Sequence, residues 1–168
     1  IAKTLWDKGL DGVQRLKVEI GKPIRSELCE RLPNPEKVFE KMSFDSPSTS
    51  SGQAAQDKAV GVHATFKYDG FRVQIHKNGN NVTMFSRNLE NMTHMFPELI
   101  RGTLKQVKAK TAILDTEALA YNKESEEFLP FQETTKRRRK HNIEVMAKSL
   151  PLKAFVFDVL YADGKSLI

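Results

Sequence analysis

Six consecutive residues, Lys67-Tyr68-Asp69-Gly70-Phe71-Arg72, put an amine, a tight Asp-Gly turn and a guanidinium within reach of one another. A lysine attacks phosphorus only as the neutral amine, a form that burial or nearby cations favour. Arg72 offers a planar fork for phosphate or ribose oxygens. The same six residues also read as a surface lysine ahead of a hairpin turn, because Lys-x-Asp-Gly recurs by chance. Further on, Asp115 and Glu117 stand two apart, so a strand would place both on one face. Hard carboxylate oxygens suit Mg²⁺, which keeps several waters, but such a pair is equally a common exposed acidic feature. The histidines at 63, 76, 94 and 141 are scattered and Cys29 stands alone, so no zinc site is grouped.

Charge is concentrated rather than spread. The chain of 168 residues carries a net +6, and Lys136-Arg137-Arg138-Arg139-Lys140 accounts for nearly all of it. Such a block is either a phosphate-binding patch or a solvated helix face. A hydrophobic fraction of 39% argues for a folded chain and against wholesale disorder. One cysteine cannot make an internal disulfide, which fits a reducing, intracellular setting. No apolar run approaches the roughly 20 residues of a membrane span, and no signal peptide is evident. Ile1 at the first position predicts a piece of a longer protein.

The elements that must position these residues follow from periodicity. Residues 1–20 predict a short helical segment, the end of a preceding element, and Gly21-Lys22-Pro23-Ile24 a stiff connector. Asn34 and Pro35 predict a helix start, as N-cap and first helical residue. Residues 43–58, rich in Ser and Gln, read as a flexible loop or insertion. Val60 to Phe66 alternate as a strand running into Lys67. Phe71, Val73 and Ile75 alternate with Arg72, Gln74 and His76, and Asn78-Gly79 turns the chain into Val82–Ser86 as a hairpin. Helical spacing runs from Phe96 to Lys108, and strands are predicted at 112–121 and 153–161, with a mixed, partly helical stretch at 131–148. Helices interleaved with an antiparallel hairpin make the class α+β.

Several of these stretches resemble one family in the right order. KYDGFRVQIH at 67–76 resembles the nucleophile motif of the ATP-dependent DNA ligases of archaeal and eukaryotic type, within the covalent nucleotidyltransferase superfamily. MFSRNLENMTHMFPEL at 84–99, ILDTEALAYN at 113–122, LPFQETTKRRRK at 129–140 and FVFDVLYADGKSLI at 155–168 resemble its successive segments. GKPIRSELCERLPNPEKVFEK at 21–41 is similar to its entry into the adenylation domain. The resemblance implies an incomplete ATP-grasp-like nucleotidyltransferase domain of mixed, mainly antiparallel sheets with flanking helices. It implies that residues 1–22 end a DNA-binding domain, that 23–168 begin the adenylation domain, and that an OB-fold domain and later lysine-bearing motifs lie elsewhere in the protein.

The resemblance also implies roles. Lys67 would take AMP from ATP, and Arg72 and Arg87 would contact ribose or phosphate. Glu117 would hold the ribose hydroxyl or, with Asp69, help organise Mg²⁺ (or Mn²⁺). Phe157 would stack on adenine, beside Phe66 and Thr65. Thr65 stands where the family usually has an acid or other polar group reading the adenine amino group, a contact that its hydroxyl can still make. Lys136, Arg137, Arg138, Arg139 and Lys140 would contact the backbone of nicked double-stranded DNA. RNA ligases and mRNA-capping guanylyltransferases share the Lys-x-Asp-Gly core and are the enzyme alternatives. A non-catalytic nucleic-acid-binding module is the alternative of another class.

Overall fold

The computed structural model describes residues 6–7, 9–11, 17–26, 31–38, 66–138 and 141–168. The chain divides into two units, Ile1–Ser26 with Lys67–Ile168, and Glu27–Phe66. The stretches 43–58 and 60–65, expected as a loop and a strand, lie outside the described residues. In the smaller unit residues 35–38 are helical, and Asn34 Oδ1 accepts the Lys37 N–H at 3.0 Å, the N-cap expected there.

The larger unit is built on one five-stranded sheet in the order β2-β1-β3-β4-β5, antiparallel at every described pairing. The strands are β1 (Phe71–Asn78), β2 (Asn81–Ser86), β3 (Thr111–Ala120), β4 (Leu152–Ala162) and β5 (Lys165–Ser166). Helices α1 (Pro97–Gln106), α2 (Phe131–Thr135) and α3 (Ile143–Ser149) accompany them, and residues 6–7 and 9–11 are also helical. The class is therefore α+β, as the sequence pattern indicates. Among the described residues no helix is long and apolar enough to cross a membrane.

Alternation decides which face is which. Phe71, Val73 and Ile75 of β1 share one face with Leu114, Thr116 and Ala118 of β3, and this face packs on Phe96 and Leu99 to form the core. Phe96 is wholly buried, a contribution of about 1.5–3 kcal/mol by apolar transfer. Pro97 opens α1, Glu98 lies in its first turn and Lys105 in its last, each suited to the helix dipole. Arg72, Gln74 and His76 face the other way, registered against Glu117, Asp115 and Ile113.

Two details depart from the alternation. The β1–β2 loop is Gly79-Asn80, one residue later than the Asn78-Gly79 expected, because Asn78 pairs with Asn81 and Gly79 takes the positive φ of +57°. Residues 66–69, expected to finish a strand, have no regular structure.

His76 is buried, and burial lowers its pKa to about 4 from 6.5. Its unfolded counterpart binds a proton near 6.5, so between those values the unfolded state holds more protons and stability falls as pH falls. Below about 4 both states are protonated and the loss is complete. We expect unfolding free energy to drop by on the order of 2–3 kcal/mol between pH 7 and 4.5 through this group. Urea melts of the chain and of His76→Phe at both pH values measure it. An equal pH slope in the two proteins would contradict the assignment.

Candidate active site

Gly70 brings the Lys-x-Asp-Gly turn onto the sheet. A Cβ built there would sit 2.2 Å from the Ala118 carbonyl oxygen, an approach no side chain allows. The turn thus presses against β3, and the Gly70 backbone lies close enough to Glu117 to hold its pKa down against burial. From Gly70 the chain enters β1 in a register that sets Arg72 opposite Glu117. Lys67 stands just before this junction with its side chain 89% exposed and Nζ 3.8 Å from Asp69 Oδ1. The described residues do not supply the desolvation on which a nucleophilic amine draws.

Arg72 is clamped by Asp115. Its Nε donates to Oδ1 at 2.6 Å and its second terminal nitrogen donates to Oδ2, a bidentate pair with the carboxylate almost fully buried. Burial lowers the Arg72 pKa first, the nearby Arg87 guanidinium lowers it further, and Glu117 and Asp158 pull against both. Glu117 is shifted upward, chiefly by burial; the Gly70 N–H, Arg72 and Lys67 counter that shift and Asp69 adds to it. Arg72 and Glu117 are register partners, Asp69 lies beside Lys67, and the charges of Arg87 and Asp158 are felt at Arg72. Among the described residues no three His, Cys, Asp or Glu side chains converge to hold a metal. Glu117 and Asp69 together carry two carboxylates, a donor set that could hold a hard cation only with further oxygens from a ligand and water.

A bulge aims the aromatic residue. The β3–β4 register runs Thr116↔Val156 and then Asp115↔Asp158, so Phe157 is passed over. It is 40% exposed, with the Arg72 guanidinium 5.9 Å from its ring centroid. Phe155 instead stacks on Tyr68 at 4.4 Å and meets Phe128 edge-on at 4.9 Å. One aromatic is committed to packing and the other is left open. Phe66 is exposed, while Thr65 lies outside the described residues. The sequence marks Asp115 only as an acid sharing a face with Glu117, and its role as the clamp on Arg72 comes from the structure.

The basic block is not one surface. Arg137 is 2% exposed, bonded through a terminal nitrogen to Glu98 Oε1 at 2.5 Å, with the Phe96 ring centroid 5.8 Å away. Its expected contact with DNA backbone is corrected on that ground: its charge is already met by a carboxylate inside the protein. Lys136 pairs with Glu133 at the surface and Arg138 is exposed, while Arg139 and Lys140 lie outside the described residues.

Lysine, two guanidinium groups and a half-buried glutamate around one mouth of an antiparallel sheet make a site suited to phosphate oxygens. Residues 27–168 match the model of the ATP dependent DNA ligase domain, and the chain belongs to that family. It is similar to the "Probable DNA ligase" of Dictyoglomus turgidum, with 43% identity over 167 residues, 99% of this chain and 26% of that protein. It is also similar to "DNA ligase 2" of Thermofilum pendens, 43% identical over 100% of this chain and 25% of that protein. The "DNA ligase" of Staphylothermus marinus is 39% identical over 98% of this chain and 25% of that protein. The chain thus spans about a quarter of the length of these relatives. Among solved structures, the ligase domain of M. tuberculosis LigD aligns with a TM-score of 0.47 and 22% identity, over 60% of this chain and 30% of that one.

Two substitutions test this geometry. Gly70→Ala should destabilise the chain by about 1–3 kcal/mol through overpacking on Ala118; an unchanged melting curve would show that the turn stands off the sheet. Arg137→Ala should cost about 3–5 kcal/mol, because Glu98 is left inside without its partner. A thermal scan at pH 7 checks it, and a shift no larger than that of Arg138→Ala would contradict the burial.

Proposed function

We propose that this chain is the nucleophile-bearing part of the adenylation domain of an ATP-dependent DNA ligase. The observation that carries the reading is the junction at Gly70, where Lys67, Arg72 and Glu117 meet at one mouth of the sheet. The Lys67 amine, having given up a proton, attacks the α-phosphorus of ATP. An N–P bond forms, the bond to the bridging oxygen breaks, and pyrophosphate leaves. An oxygen of a DNA 5′-phosphate then attacks the same phosphorus, the N–P bond breaks and the amine regains its proton. Finally the 3′-hydroxyl attacks the activated 5′-phosphate and AMP leaves, closing the nick.

In this scheme Arg72 and Arg87 neutralise charge on the phosphoryl oxygens, which matters more to such transfers than protein acid–base chemistry. Asp115 holds the Arg72 fork in place. Phe157 is the stacking surface for adenine, and Thr65 and Phe66 are further nucleotide-binding residues. Mg²⁺ (or Mn²⁺), held by Glu117 and Asp69 with the phosphates, would supply further charge neutralisation. Lys136, Arg138, Arg139 and Lys140 remain as contacts to the backbone of nicked duplex DNA, positioning without sequence readout. The setting is intracellular, where ATP and nicked DNA occur together.

The test is adduct formation by the intact polypeptide that carries this chain. With labelled ATP and Mg²⁺ it should form an acid-stable covalent adduct that Lys67→Ala abolishes. An undiminished adduct in Lys67→Ala would remove the nucleophile assignment, and labelling by GTP in preference to ATP would favour a capping enzyme.

A further inference from the structure

The face of β1 that carries Arg72 is occupied farther along by the entering chain. Residues 19–22 form a turn, closed by the Lys22 N–H on the Glu19 carbonyl at 3.1 Å, with Gly21 at a φ of +86°. Beyond it the backbone is read by two side chains. The Gly21 N–H donates to His76 Nδ1 at 2.9 Å, and the Ile24 N–H donates to Gln74 Oε1 at 2.7 Å. Gln74 Nε2 returns a bond to the Ile24 carbonyl at 3.2 Å, and His76 Nε2 stands 3.0 Å from Gln74 Oε1.

These bonds leave one consistent assignment. A backbone N–H can only donate, so His76 Nδ1 is the acceptor and the hydrogen of the neutral ring sits on Nε2. Nε2–H then donates to Gln74 Oε1, whose amide nitrogen is committed to Ile24. Phe85 braces the ring edge-on at a centroid distance of 5.0 Å. Gln74 and His76 are 4% and 1% exposed, so both are buried polar groups whose partners come largely from the connector. Lifting the connector away would leave them buried and unsatisfied. Fastening is therefore mutual. Gln74 also registers opposite Asp115, the residue that clamps Arg72, so the fastening lies one strand position from the site.

We propose that Gln74 and His76 are positioning residues that fix residues 21–24 across β1 and so hold the polypeptide before them in a set place relative to the Lys67 mouth. The functional half of this inference rests on the ligase reading above; the fastening half does not. Adenylation needs only ATP at the mouth, whereas transfer to DNA also needs the duplex held there, a demand we assign to the chain that enters through residues 21–24. The pair accordingly serves the DNA steps.

The experiment has two arms. In the 168-residue chain at pH 7, long-range ¹H–¹⁵N spectra should show His76 as the Nε2–H tautomer. In Gln74→Leu and His76→Phe, the Gly21 and Ile24 amides should exchange with solvent at least tenfold faster while the β1–β3 ladder keeps its protection. An Nδ1–H ring, or unchanged exchange at both amides in both variants, overturns the fastening. In the intact polypeptide, Gln74→Leu should adenylate Lys67 at the wild-type rate yet pass AMP to nicked DNA at least tenfold more slowly. Equal loss in both steps, or no loss in either, overturns the positioning role. Should the unsubstituted protein form no adduct at all, the ligase reading fails and the amide exchange still decides the fastening.

Discussion

A glycine without a Cβ, pressed against the Ala118 carbonyl, is the contact on which the site depends. Any side chain at Gly70 would force the turn off β3, since its first carbon would fall 2.2 Å from that oxygen. Only in contact does β1 start in the register that sets Arg72 across from Glu117. A shift of one residue would turn Arg72 into the core and Phe71 toward the charges. Steric absence at one position thus places an amine, a guanidinium and a carboxylate together.

The charges are then disposed by burial rather than by number. Asp115 is almost fully buried, and its bidentate bond to Arg72 offsets the cost of taking both charges from water. Arg72 is held while the Arg87 side chain stays at the surface, so two arginines near one mouth have different freedom. On the other layer Arg137 is spent in the same manner on Glu98, which also accepts the Leu152 N–H at 3.3 Å. That pair joins α1, the start of β4 and the segment after α2, and it serves assembly rather than binding.

Much of this frame is legible in the sequence because its signals are local. Strict alternation marks β1 and its polar face, the helical spacing after Phe96 marks α1, and the offset of two puts Asp115 and Glu117 on one side of β3. Asn34-Pro35 announces its cap, since the bond involved spans only three residues. The Lys-x-Asp-Gly turn, read with Arg72, already suggests phosphate chemistry. The segments that follow it in order point to the ligase family to which residues 27–168 belong.

Other features depend on partners far away in the chain. Arg137 looks like its neighbours in a run of five cations, and only the arrival of Glu98, 39 residues earlier, makes it a buried ion pair. The bulge that leaves Phe157 open while Phe155 packs on Tyr68 is a mismatch between two strands, and neither strand records it alone. Gln74 and His76 read as ordinary outward-facing strand residues until the connector, 50 and 55 positions away, lies across them. By itself, then, the sequence determined the elements, their faces and the chemistry of the Lys67 turn, because period and turn residues act over a few positions. Which charges are available, which aromatic is free and where the entering chain is tied were decided by the tertiary structure, because burial and pairing exist only between segments that folding has brought together.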